Sequence, residues 1–170
     1  VSKNYIGPEL AVALAEALNV NASMKKLNVL SNSIGDEGYE LLTTLAEEKD
    51  ILTLCGFEEG QTEADLYRKG LGPIDAKLIA RELTTGFVSA SITNLNLRGN
   101  RIGKDGAVAL AKALNVNASL KKLKVNKCEL PIEVLKHGTE VDLSRLKLRV
   151  EDAIIIAACI NVSSSLNYLK

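Results

Sequence analysis

Three cysteines, one histidine, one glycine-flanked loop and three Asn-x-Ser triplets are the residues of this 170-residue chain whose types could do chemistry. A metal site or a Cys–His pair would need His137 beside Cys55, Cys128 or Cys159, and no CxxC spacing joins any of them. Gly99-Asn-Arg-Ile-Gly103-Lys104-Asp105 imitates a phosphate-binding loop, but only three residues separate its glycines and Asp105 stands where a hydroxyl is required. Asn21, Asn117 and Asn161 open the sequons; with no sign of secretion they read as unglycosylated loop residues. From this set no catalytic residue, no metal ligand and no cofactor site is expected.

The composition narrows the classes further. Lys plus Arg (21) balance Asp plus Glu (21), so the chain lacks the basic footprint of a nucleic-acid or anionic-lipid binder. Hydrophobic residues make up 46% and charged residues 25%, enough to bury a core and too apolar for disorder. Leucine fills 27 positions while Trp is absent, which describes a uniform aliphatic core. No apolar run approaches the ~18 residues that would span a bilayer. An odd number of cysteines without a framework spacing favours a reducing compartment, so an intracellular, cytoplasmic location is expected.

The elements that must position any functional side chain show as a repeat. Residues 13–29, ALAEALNVNASMKKLNV, and 109–125, ALAKALNVNASLKKLKV, differ at only three of 17 positions. The best copy runs Ile92-x-x-Leu95-x-Leu97-x-x-Asn100-x-Ile102-Gly103. Met24, Leu27, Val29, Asn32, Ile34 and Gly35 form a second, and Leu120, Leu123, Val125, Cys128 and Leu130 a third. Asn4, Ile6 and Gly7 end an earlier copy; Ala64, Leu66, Lys69, Leu71 and Gly72 make a weaker one. Val141, Leu143, Leu146 and Leu148 form a copy without Asn, and Leu166 and Leu169 open a last one. In each, L-x-L alternation predicts a strand with one buried face and the following A-x-x-L spacing a helix with one apolar stripe. Pro8, Pro73 and Pro131 share one phase, where each helix should begin, with Asp36 and Asp105 near the same point as cap or dipole residues.

This pattern resembles the leucine-rich repeat, and within it the ribonuclease-inhibitor-like type with a period of about 28 residues. LNLRGNRIGKDGAVALAKAL (95–114), LNVLSNSIGDEGYELLTTL (27–45) and NYIGPELAVALAEAL (4–18) carry the resemblance. It implies an α/β fold: a right-handed solenoid forming a horseshoe segment, with a parallel sheet on the concave face and helices on the convex face. Residues 1–170 are expected to form one such solenoid of five to six repeats, two of them irregular, cut from a longer array. In the family the Asn slot, here Asn32 and Asn100 with Cys128 as a common replacement, bonds backbone groups of adjacent coils; Lys69 and Leu146 should interrupt that ladder.

Two intervals break the period. Between Leu27 and Ala64 either ILTLCGF or EADLY holds the regular strand slot, the other being an insertion or an irregular pairing, and EADLY is favoured. Between Leu123 and Val141 the shortfall removes the helix and leaves a short turn around Pro131–Leu135.

The exposed strand positions are banded: Lys26, Asn28, Leu30; Glu63, Asp65, Tyr67; Asn94, Asn96, Arg98; Lys122, Lys124, Asn126; Glu140, Asp142, Ser144; Tyr168, Lys170. Strands about 4.8 Å apart would set Lys122 and Lys124 beside Glu140 and Asp142, neutralising the bands within the sheet. Against that stands a partner-binding patch of Tyr67, Asn96 and Arg98 with Lys122 and Lys124, since Tyr and Arg anchor interfaces. The function this supports is a non-catalytic protein–protein interaction scaffold. The resemblance also leaves two alternatives: a GTPase-activating regulator of the nuclear-transport type, and the ligand-sensing segment of an intracellular immune-type receptor. The partner expected is another protein rather than nucleic acid or membrane, with end-to-end self-association through uncapped repeats.

Overall fold

A computed structural model describes residues 4, 7–85 and 88–170; Ile6 of the first copy lies outside them. The chain divides into two compact units, Val1–Glu58 and Glu59–Lys170.

In the N-terminal unit, helices α1 (Pro8–Val20) and α2 (Gly35–Glu48) pack together. Pro8 opens α1, where a missing N–H leaves no gap. The segment before α2 makes two isolated bridges, Lys26 with Thr53 in parallel and Asn28 with Cys55 in antiparallel sense. ILTLCGF is therefore an irregular pairing, and its chemistry explains why. The buried Thr53 hydroxyl accepts from the backbone N–H of Cys55 (3.1 Å) and Phe57 (3.2 Å), drawing the chain into a turn. Gly56, at φ +72°, then packs against the Asn28 side chain.

In the C-terminal unit EADLY supplies strand β1 (Glu63–Asp65), followed by helix α3 (Pro73–Thr84), strand β2 (Asn94–Asn96) and helix α4 (Gly103–Val116). Strands β3 (Lys122–Lys124) and β4 (Glu129–Pro131), helix α5 (Ile132–His137) and strand β5 (Glu140–Val141) come next. Helix α6 (Val150–Val162) and strand β6 (Tyr168–Leu169) complete the unit. β1, β2 and β3 are parallel in that order, with Ala64, Leu95 and Leu123 in register. All three side chains are buried while their neighbours face out, so the L-x-L alternation does what its period requires. α3 packs on α4 and α4 on α6, burying the stripe of Ala107, Leu110, Ala111 and Leu114. Gly106 permits the close approach of α4: a Cβ there would lie 2.7 Å from that of Ala76, and Gly38 stands in the same relation to Ala11 at 2.9 Å.

The interval after Leu123 differs from expectation. The helix is shortened to the six residues of α5, not lost, and a strand precedes it. β4 runs antiparallel to β3, pairing Leu130 with Leu123 and Glu129 with Lys124. Buried Cys128, Leu130 and Ile132 alternate with Glu129 and Pro131, which is the period of a strand. With β4 on the edge of β3, β5 cannot pair there; it joins β6 in a separate parallel pair, Val141 opposite Leu169.

Helix starts follow the proline phase. Pro73 opens α3 and Pro131 immediately precedes α5. Asp36 and Asp105 lie in the first turns of α2 and α4, near the positive end of the helix dipole. The capping carboxylates are others: Asp75 accepts from Gly72 N–H at 2.7 Å and Asp152 from Arg149 N–H at 2.9 Å.

Candidate functional site

The outward side chains of β1, β2 and β3 stand in two rows. Glu63, Asn94 and Lys122 form one; Asp65, Asn96, Lys124 and, from β4, Glu129 form the other. Together they line an open groove of about 260 Å³. Asn94 Nδ2 donates to Glu63 Oε1 and Asn96 Nδ2 to Asp65 Oδ1, both at 2.9 Å. Lys122 and Lys124 share the Glu129 carboxylate at 3.4 and 3.0 Å. The Lys124 hydrogen bond foremost, with Lys122 adding to it, holds the Glu129 carboxyl below its ordinary range against a smaller opposing effect of burial.

This corrects the expected neutralisation. Glu140 and Asp142 do not lie beside Lys122 and Lys124, because β4 occupies that edge and β5 belongs to the other sheet. Asp142 instead pairs with Lys170 at 3.5 Å. Glu129 is the groove residue that the repeat pattern hid; the Cys128–Ile132 alternation was the signal for it.

Of the candidate residues, Asn96, Lys122 and Lys124 come together in the groove. Tyr67 and Arg98 follow the ends of β1 and β2, and the residue after Tyr67 joins the two turns, Arg68 N–H donating to Arg98 C=O at 2.9 Å. Tyr67 is 43% exposed, and the Arg68 guanidinium carbon lies 5.1 Å from its ring centroid, in cation–π range. Gly99, at φ +75°, makes room for this pair. Asn96 Oδ1 accepts from Arg98 N–H at 3.2 Å and Asp65 Oδ1 from Tyr67 N–H at 3.1 Å. Asn28 with Leu30 and Asp142 with Ser144 repeat the same turn. Asn and Asp thus recur at this position partly to close the turn that follows it, whereas in β3 Lys124 stands there.

The chemically suggestive residues are taken up by the fold. Cys55, Cys128 and Cys159 are buried free thiols, and His137 ends α5 exposed. Burial and the Asp152 carboxylate push the Cys128 thiol up; burial alone pushes Cys159 up to about 11. Lys136 is buried, its Nζ donating to the carbonyls of Leu114 and Asn117 at the end of α4, and desolvation lowers its pKa. Among the described residues no group of three or more His, Cys, Asp or Glu could hold a metal ion. In the phosphate-loop imitation, Gly103 begins α4 and Arg101 N–H is bonded to Leu71 C=O. The sequons are not loop residues alike: Asn21 is an exposed C-cap, Asn161 lies in the last turn of α6, and Asn117 is buried. The Asn117 amide donates to Leu83 C=O (2.9 Å) and Ser89 C=O (2.8 Å) and accepts from Leu120 N–H (2.9 Å).

The Asn slot behaves as the resemblance implied. Asn100 Nδ2 donates to Leu66 C=O and Leu97 C=O, both at 2.8 Å, and its Oδ1 accepts from Leu71 N–H at 3.1 Å. Asn32 bonds Val29 C=O and Asn4 N–H in the same way. No helix among the described residues is long and apolar enough to cross a membrane. Residues 20–42 and 88–111, each containing one Asn-slot turn, match the family model for the leucine rich repeat, which supports a protein carrying leucine-rich repeats in a mixed helix-and-strand fold.

Proposed function

We propose that this chain is a non-catalytic binding scaffold of the ribonuclease-inhibitor-like type, which docks another protein on the outward face of β1–β3 inside the cell. The observation that carries it is the groove itself: six polar side chains from three consecutive strands face solvent over one continuous floor. Leucine-rich-repeat domains commonly mediate protein–protein interaction. Tyr67, Asn96, Arg98, Lys122 and Lys124 are the proposed contact residues, Tyr67 and Arg98 at the rim and the others in the groove. The test compares immobilised native chain with a Lys122→Glu, Lys124→Glu variant of unchanged urea midpoint, exposed to extract of the source cells. Proteins held by the native chain and released by the variant are expected; equal retention by both overturns the assignment.

A further inference from the structure

The charges of the groove are sorted rather than mixed. On the β1 side, Glu63 and Asp65 receive amide hydrogen bonds but no cation among the described residues. On the β3 side, two lysines divide one carboxylate. A row of neutral amides, Asn94 and Asn96, separates the two walls. β1 and β3 are two strand spacings apart, about 10 Å, so the groove carries a fixed dipole across its width. At about 260 Å³ it falls below the ~300–1,000 Å³ that encloses a drug-sized molecule, so it takes side chains of a larger partner.

On the reading that this face binds protein, we infer that the partner segment is an extended peptide crossing the strands. It presents Lys or Arg to Glu63 and Asp65, and Asp or Glu to Lys122 and Lys124. Alternate residues of an extended chain share a face and advance ~3.3 Å each. The two charges therefore sit two or four positions apart, about 7 or 13 Å, bracketing the gap. The floor suits a peptide backbone: Asn94 donates to Glu63, and its Oδ1 is an acceptor with no hydrogen bond among the described residues, open to a peptide N–H.

The test selects a random dodecapeptide display library on the immobilised chain. The enriched peptides are then made synthetically and measured against two charge-altered chains, Glu63→Lys with Asp65→Asn and Lys122→Glu with Lys124→Gln. Asp65→Asn keeps the side-chain oxygen that accepts from Tyr67 N–H, so the strand end is preserved. The expected result is enrichment of peptides bearing one basic and one acidic residue at i,i+2 or i,i+4, binding each altered chain about tenfold more weakly through loss of two exposed ion pairs. Single-sign peptides released by the alterations overturn the dipolar partner and leave the face a binding face. Peptides indifferent to both alterations overturn the face as well. A library that enriches nothing overturns the extended-segment partner, while the extract experiment still judges the face on folded proteins.

Discussion

The side-chain amide of Asn100 donates to the backbone carbonyl of Leu66, 2.8 Å away in the preceding repeat. The same side chain bonds Leu97 C=O and Leu71 N–H. One residue thus satisfies three main-chain groups in a turn that no strand ladder reaches, and binds two successive repeats together.

Asn100→Ala should lower stability by about 2–3 kcal/mol, because two carbonyls and one N–H lose their partner at once. Urea unfolding followed by circular dichroism measures it; a loss under about 0.5 kcal/mol would mean that water replaces the amide without penalty.

Gly106→Ala tests the approach of α4 to α3. Helix propensity favours Ala by about 1 kcal/mol, whereas a Cβ placed 2.7 Å from Ala76 Cβ and 3.4 Å from the Pro73 backbone overpacks the interface by ~1–3 kcal/mol. The net expectation is a lower melting temperature. A rise would show that the helices separate freely.

Cys159 gives an alkaline signature. Its folded pKa of about 11 lies above the ordinary 9.0, so the folded state keeps a proton that the unfolded state releases. Stability from this group is intact below pH 9 and lost as pH rises through 11, about 2–3 kcal/mol in all. Lys136, with its pKa lowered by burial, acts in the opposite sense in the alkaline range, so the two partly offset. Comparing urea midpoints of the native chain and Cys159→Ala from pH 8 to 11 isolates the thiol: the variant should lose less stability over that range, and parallel curves would refute the assignment.

Glu129→Gln removes the only carboxylate paired with Lys122 and Lys124 among the described residues. Exposed pairs of this kind contribute about 0–1 kcal/mol each, so the melting temperature should barely move while binding of a hexaglutamate peptide strengthens, increasingly so at low salt. Unchanged binding would place the lysines outside the positive wall.

The regular parts of this architecture were legible because the same side-chain periods recur in phase: Leu95 and Leu123 had to face one core, and Asn100 one turn. The charge pattern was misread for a physical reason. The repeat predicts the next parallel strand as neighbour to β3, but Glu129, five residues past Lys124, arrives first by folding back. ILTLCGF mimics a strand in composition, and only the buried Thr53 hydroxyl, satisfied within its own turn, shows why it does not extend as one. The capping work of Asp75 and Asp152 was hidden by the more regular phase of Asp36 and Asp105.

The fold-back of β4 has a consequence for the order in which the chain assembles. Leu123 meets Leu130 across seven residues, whereas Leu95 meets Leu123 across twenty-eight. Closing the shorter loop costs about 1 kcal/mol less chain entropy, so β3, β4 and α5 form the most local contacts of the sheet and should nucleate it. Pulse-labelled amide exchange during refolding should protect Leu123 and Leu130 before Ala64. The stretch that departs most from the repeat would then be the seed on which the regular strands are laid down.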